Sequence, residues 1–344
     1  MGRRSVLRRW VSALFVVGAL TAVTIAPAAS ASTSNAKVIA GMVDVNTNLG
    51  YENAAAAGTG MVLSSAGEVL TNNHVIEGAT TIKVRDVGNG RTYNASVVGY
   101  DVAADVAVVQ LKSASKLKTV PIGSSSAVKV GAKVTAIGNA GGTGGTPSSA
   151  SGTVAALDQS ITASDELNGT SEQLTGLIET NAAIEPGDSG GPLVNAAGDV
   201  IAMVTAGSSG FEFQRGAGEG FAIPINTATA LARQMESGRF SGNVHRGATA
   251  FLGVDVAPSG YYRGGSFIAG ALVVAVVPAS PAEEAGLVAG DAITSFAGQS
   301  VTSPTQLTHL LLARAPGAKV QLGWVDRYGT THRATVTLAS GPPQ

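Results

Sequence analysis

Three polar residues in this chain are conspicuous for where they sit: Ser189, His74 and Asp105. Ser189 lies in Gly187-Asp188-Ser189-Gly190-Gly191-Pro192. That run suits a tight loop that exposes a hydroxyl and aims backbone N–H groups at one spot. The same residue types make ordinary turns, and the chain has 45 glycines, so the run alone leaves both readings open. His74 is the sole histidine of the first 244 residues and follows an apolar run, where a strand should end in a turn. A lone histidine is as readily structural. Asp105 opens the apolar run Val106–Leu111, a costly place for a carboxylate unless something hydrogen-bonds it. Asp101, just upstream, fits a plain turn residue better.

Taken together the three residues make a chemistry. A serine hydroxyl needs a base to take its proton as it attacks, and an imidazole can cycle near neutral pH. A carboxylate fixes the imidazole tautomer and stabilises its cation. The N–H groups of Gly187 and Ser189 would form the oxyanion hole. The order is His, Asp, Ser, with separations of 31 and 84 residues, as in the chymotrypsin-type double β-barrel rather than subtilisin-like or α/β-hydrolase enzymes.

The elements that must position these residues read as strands. Gly60–Leu63, Glu68–Leu70, Thr81–Val84, Ala95–Val98, Val106–Leu111 and Lys133–Ile137 are short Val/Ile/Thr-rich runs separated by Gly, Asn and Ser clusters. Many short strands at such spacing predict an all-β sandwich or barrel. The first helix expected is one capped by Asn226, with Ala228, Leu231, Ala232 and Met235 on its apolar face, ending before Gly238. The polar stretches 138–151 and 158–175 read as loops.

Composition narrows the class. A length of 344 residues suits about two domains. A net charge of -1 with 13% charged residues gives no footprint for nucleic acid. With 44% hydrophobic residues there is ample material for cores, and with no cysteine there is neither a disulfide framework nor thiolate chemistry. Residues 1–31 read as a signal peptide: Arg3, Arg4, Arg8 and Arg9, then apolar Trp10–Ala26, then Ala29-Ser30-Ala31 at a cleavage site. Export follows, to the periplasm, cell wall or medium, with a membrane anchor as the alternative if the segment stays uncleaved.

The motifs then resemble a known family. Thr71-Asn72-Asn73-His74-Val75, Asp105-Val106-Ala107-Val108, Thr180 through Asn195 around Ser189, and Gly220-Phe221-Ala222-Ile223-Pro224 are similar to the histidine, aspartate, serine and closing-strand motifs of HtrA/Deg-type serine proteases. The resemblance implies a trypsin-like domain over residues 37–237, built as two six-stranded β-barrels with the catalytic residues in the cleft between them. It puts Ala183 at the base of the primary specificity pocket with Ile184 beside it, so small or medium aliphatic side chains are expected there. Strand Ile201–Ala206, with Met203, Val204, Thr205 and Ala206, is expected to pair with the substrate backbone. One position departs from the pattern: HtrA proteins commonly have Asn where this chain has Asp188. In trypsin-like zymogens such an Asp pairs with a newly cut N-terminus. Lys37-Val38-Ile39-Ala40-Gly41 has some likeness to that activation sequence, but Val38–Val45 is read as an ordinary first strand.

After a small, polar linker at 238–248, residues 249–340 resemble a bacterial-protease PDZ domain. Strands are expected at Phe251–Val254, Gly270–Val277, Lys319–Val325 and Arg333–Leu338. Helices are expected after the caps Ser280 and Ser303, each followed by proline. By resemblance Phe251-Leu252-Gly253-Val254 is the loop that holds a peptide carboxylate. His309 either faces that groove or points to solvent.

The expected fold is mainly β: a chymotrypsin-like double β-barrel, then a PDZ domain, a small β-sheet barrel with two helices. The expected function is exported serine endopeptidase on unfolded polypeptides, with peptide ligands on the PDZ domain and no metal or organic cofactor. The resemblance also implies a homotrimer. The alternative is a chaperone-like holdase or PDZ scaffold with a silent peptidase domain.

Overall fold

The computed structural model describes residues 33–51, 54–165, 170–205, 211–213, 220–238, 243–247, 249–258, 261–263 and 266–343. The expected signal peptide lies outside the described residues.

The chain begins with a short helix α1 (Thr33–Ile39) and then strands β1 (Met42–Leu49), β2 (Ala54–Val62) and β3 (Glu68–Thr71). One helical turn α2 (Asn73–Ile76) follows, then β4 (Thr81–Asp86), β5 (Thr92–Asp101) and β6 (Val106–Leu111). These strands run β5-β4-β1-β2-β3-β6, and β5 pairs with β6, which closes a six-stranded barrel. Its interior is lined by Val43, Val45, Val69, Ile82, Val84 and Val109, all buried at alternate strand positions.

The second barrel uses β7 (Lys133–Gly138), β8 (Ser148–Asp165), β9 (Thr170–Thr180), β10 (Pro192–Asn195), β11 (Val200–Val204), the short β12 (Phe211–Phe213) and β13 (Gly220–Pro224). The order β8-β7-β10-β11-β13-β9 closes through β8–β9, with β12 appended to β8. Val134, Val154, Leu193, Ile201 and Val204 fill it. A third apolar cluster joins the barrels: Met42, Met61, Leu70 and Val106 from the first meet Ile137, Val194, Met203 and Ile223 from the second. Each such side chain contributes about 1.5–3 kcal/mol when fully buried. Helix α3 (Ile225–Glu236) seals this cluster with Ala228, Ala232 and Met235.

Three expectations are corrected. Val38 belongs to the last turn of α1, fully buried, and the first strand starts only at Met42. Gly41 makes the break, because a Cβ there would overlap the Thr119–Val120 backbone. The stretch 158–175 belongs largely to the long β8–β9 hairpin, with Ile161 and Leu174 paired across it and both buried. Thr and Ser tolerate a pleated surface, so polarity alone mis-stated it as loop. Asn226 is the second residue of α3, not its cap; Pro224 precedes the helix, and Asn226 Oδ1 instead accepts Ser125 N–H at 3.2 Å.

Strand β14 (Val244–Arg246) adds to β5 before the chain enters a smaller unit. There β15 (Thr249–Phe251) pairs with the final β24 (Ala339–Gly341), and a sheet runs β16 (Val254–Pro258), β19 (Ala271–Val276), β20 (Ala292–Phe296), β22 (Lys319–Val325), β23 (Thr331–Thr337). The hairpin β17 (Tyr261–Arg263) and β18 (Ser266–Ile268) is inserted after β16, and β21 (Gln299–Ser300) pairs with β20. Ser280 caps α4 (Pro281–Ala285) by accepting Glu283 N–H, and Ser303 caps α5 (Pro304–Leu312) by accepting Gln306 N–H. Phe296, Leu307, Leu322 and Trp324 are among the buried residues of this core. Among the described residues no helix is long and apolar enough to cross a membrane.

Candidate active site

His74 sits in α2, the single turn between β3 and β4, and is 6% exposed. Thr47 on β1 supports the turn by donating to Val75 O at 3.3 Å. Asp105 lies at φ +51, a left-handed conformation that Asp adopts more readily than most residues. Its carboxylate accepts from the backbone N–H of His74 at 3.0 Å and the ring Nδ1–H at 2.9 Å. Its main-chain carbonyl accepts Asn72 Nδ2 at 2.9 Å. A carboxylate only accepts, so the proton of neutral His74 is on Nδ1 and the Nε2 lone pair is available to act as a base. Thr205, just past β11, donates to Asp105 Oδ2 at 2.8 Å. Every charge-bearing oxygen of Asp105 therefore has a donor, which explains how a carboxylate 5% exposed is tolerated here.

Ser189 is brought up from the second barrel by the loop between β9 and β10. Thr59 on β2 holds that loop. It donates N–H to Ser189 O at 2.7 Å and its hydroxyl to Gly187 O at 2.8 Å, and it accepts Asn139 N–H at 2.9 Å. Its carbonyl takes the Thr71 hydroxyl at 2.7 Å. Gly190 N–H bonds Val204 O at 2.9 Å, tying the loop to the strand that ends in Thr205. Gly58, beside Thr59, separates the two halves: a Cβ there would come within 2.7 Å of Val75 and 3.2 Å of Ser189 O. The histidine turn and the nucleophile loop thus meet across one glycine.

Glycine is required at two loop positions. Gly187 has φ +98, and a Cβ would overlap the Asn139 carbonyl; Gly190 has φ +82, and a Cβ would overlap the Thr59 carbonyl. Among the described residues the Gly187 N–H meets no internal acceptor, as an oxyanion donor requires.

The expected substrate residues divide. Ala183 is exposed, and Ile184 lies half-buried against Gly220, with the exposed Glu185 next in the chain. Met203 and Val204 are corrected. Strand β11 is central, paired with β10 and β13, and Val204 gives its N–H to Gly191 O and its carbonyl to Gly190 N–H. Both residues are fully buried, with no free edge for a substrate. Thr205 gives its N–H to Phe221 O and its hydroxyl to Asp105, so here it serves the base. Ala206 lies outside the described residues. Thr59 and Asn139 were not singled out from the sequence; nothing marks them among the chain's many Thr and Asn.

In the smaller unit, Phe251 ends β15, Leu252 is buried, and Gly253 at φ +84 lies against Ser280. Leu252 O accepts Ala282 N–H at 2.9 Å, which fixes the bend before Val254 starts β16, the edge strand of its sheet. His309 on α5 is exposed.

Comparison with known proteins matches both domains. Residues 58–203 match the trypsin-like peptidase domain and residues 250–338 the PDZ domain. The chain is 37% identical over 273 residues to the periplasmic serine endoprotease DegP of Salmonella typhimurium, covering 78% of this chain and 54% of the relative. It is 34% identical over 328 residues to the serine protease PepD of Mycobacterium tuberculosis, covering 91% of this chain and 66% of the relative. It thus spans less than two thirds of the length of these curated relatives. Among solved structures it is similar to the HtrA-type protease AlgW with tripeptide, at 28% identity and a TM-score of 0.50, over 90% of this chain and 97% of that one. A trypsin-like peptidase domain followed by one PDZ domain, with DegP- and HtrA-type relatives along most of its length, means that the chain belongs to the HtrA family of serine proteases.

Proposed function

We propose that this chain is an exported serine endopeptidase that cleaves unfolded or misfolded polypeptides through an acyl-enzyme on Ser189. The observation that carries the reading is the pairing of Asp105 with both the backbone and ring N–H groups of His74, on a turn that abuts the Ser189 loop. His74 Nε2 takes the Ser189 proton as Oγ bonds the substrate carbonyl carbon. The oxyanion so formed accepts from the N–H groups of Gly187 and Ser189, each worth about 3 kcal/mol in the transition state. The C–N bond then breaks, the proton passes from His74 to the leaving amine, and water repeats the sequence to free the acid.

Ala183 and Ile184 favour small or medium aliphatic side chains before the scissile bond. The PDZ domain takes an extended or C-terminal peptide at Phe251–Val254 along the β16 edge. The names of relatives such as periplasmic DegP support export, with residues 1–31 as the signal peptide. Assembly as a homotrimer is part of this reading and is checked by light scattering of the purified protein. The functional test is degradation of unfolded casein by wild type and Ser189→Ala. Loss of cleavage in the variant is the expected result; cleavage at the wild-type rate refutes the assignment. A peptide library cleaved equally well after Lys or Arg refutes the pocket reading.

A further inference from the structure

The nucleophile loop carries an acidic side chain that the proposed chemistry does not use. Asp188 directly precedes Ser189 and is 4% exposed. Its Oδ2 accepts the Glu185 N–H at 3.0 Å, which closes the turn leading into the serine. Its Oδ1 is buried against Gly138, where a Cβ would overlap it, and it meets no donor among the described residues. An ionised carboxylate with one bare, buried oxygen is costly.

The adjoining segment has the opposite deficiency. Asn139 Oδ1 accepts Gly144 N–H at 2.6 Å, which fixes the orientation of the amide, and its Nδ2 is buried without an acceptor. Asn139 also forms the wall behind Gly187, since its carbonyl occupies the place of a Gly187 Cβ. An unmatched acceptor and an unmatched donor thus lie on the two segments that meet at the proposed oxyanion donor. The glycines of the 139–145 loop, four of them at positive φ, let that segment move without side-chain cost.

We propose that Asp188 is a positioning residue for the Ser189 reaction, its proton deciding whether the loop keeps this arrangement or shifts so that Oδ1 accepts the Asn139 amide. The proposal rests on the peptidase reading above. Burial pushes the Asp188 carboxyl up to about 6, against the pull of the Glu185 N–H, and the Glu185 charge adds to the push. Among the described residues Glu185, in the same loop, is the one charged group acting on it. Asp44 on β1 meets the glycine loop at Gly144 and Gly145 and is paired with Arg85 at 3.5 Å, while His74 and Asp105 lie toward Thr205. Between the ordinary value of 3.8 and about 6, the folded protein holds a proton that the unfolded chain has lost. The stability this confers is complete below the ordinary value and is lost as pH rises through about 6. Above that pH the carboxylate needs a second donor, and meeting it with the Asn139 amide moves the wall behind Gly187. The effect belongs in kcat rather than KM.

The test uses the full chain and the isosteric variant Asp188→Asn. The ratio of wild-type to variant kcat cancels the ionisation of His74. It should be near unity at pH 5 and fall about threefold or more by pH 7.5, with KM unchanged. In wild type, the 13C carboxyl resonance of Asp188 and the side-chain amide resonance of Asn139 should titrate together near pH 6. A flat kcat ratio overturns the proposal, and so does a carboxyl midpoint below 4.5 or an Asn139 amide that ignores it. The resonances are read without substrate and need no variant to fold, so they decide the loop shift even where cleavage is absent, a result that would defeat the peptidase reading instead.

Discussion

The two halves of the site are held in different ways. On the first barrel, the Asp105 carboxylate takes His74 N–H, His74 Nδ1–H and, from just past β11 in the second, the Thr205 hydroxyl, and Asn72 secures its backbone. On the second barrel, the Ser189 loop is held by backbone bonds to Val204 and by Thr59 from across the cleft, and it includes a buried carboxylate oxygen without a donor. Both oxygens of the Asp105 carboxylate have donors while one oxygen of the Asp188 carboxylate has none, and a carboxylate satisfied on both sides is held more rigidly than one with a bare oxygen. The contrast places the base in a fixed frame and leaves adjustment to the nucleophile loop.

Breaking the fixed half should have the larger effect. Asp105→Asn keeps the shape but favours the wrong His74 tautomer, and kcat should fall about 10⁴-fold with little change in KM. A drop of less than tenfold would mean that Asp105 does not orient the base. Thr59→Val removes the hydroxyl that joins Gly187 O to Asn139 N–H and leaves both groups buried. It should cost about 1–3 kcal/mol in denaturant unfolding and lower kcat more than tenfold. Unchanged stability would show that the loop is held otherwise. Thr205→Val takes one of three donors from Asp105 and should cost about 1 kcal/mol, with a kcat loss of about five- to tenfold. On the adjustable half, Asp188→Asn should raise the melting temperature at pH 7.5 by a few degrees, with the gain fading as pH falls through about 6 and gone below the ordinary value of 3.8. A pH-independent difference would remove the distinction between the halves.

How much of this was legible in the sequence follows from the same physics. His74, Asp105 and Ser189 stood out because a polar residue beside apolar strands or among glycines is unusual. Thr59, Thr205 and Asn139 did not, since threonine and asparagine are common on strands and in turns, and their role exists only once the barrels meet. The strands Val106–Leu111 and Lys133–Gly138 followed from their β-branched runs. The β8–β9 hairpin was hidden by its Ser and Thr content, because its burial comes from pairing over a long separation. Val and Ile favour strands, yet the turn at Gly41 and the burial of Val38 in the inter-barrel cluster place Val38 in a helix. Met203 and Val204 look like an accessible edge until β10 and β13 are seen on either side.

The claim that Ser189 is a nucleophile activated by His74 is tested most directly by covalent labelling. A fluorophosphonate probe should modify wild type at one site, located by peptide mass spectrometry to Ser189. Labelling should vanish in Ser189→Ala and slow by orders of magnitude in His74→Ala. Modification elsewhere, or labelling of His74→Ala at the wild-type rate, would contradict the account.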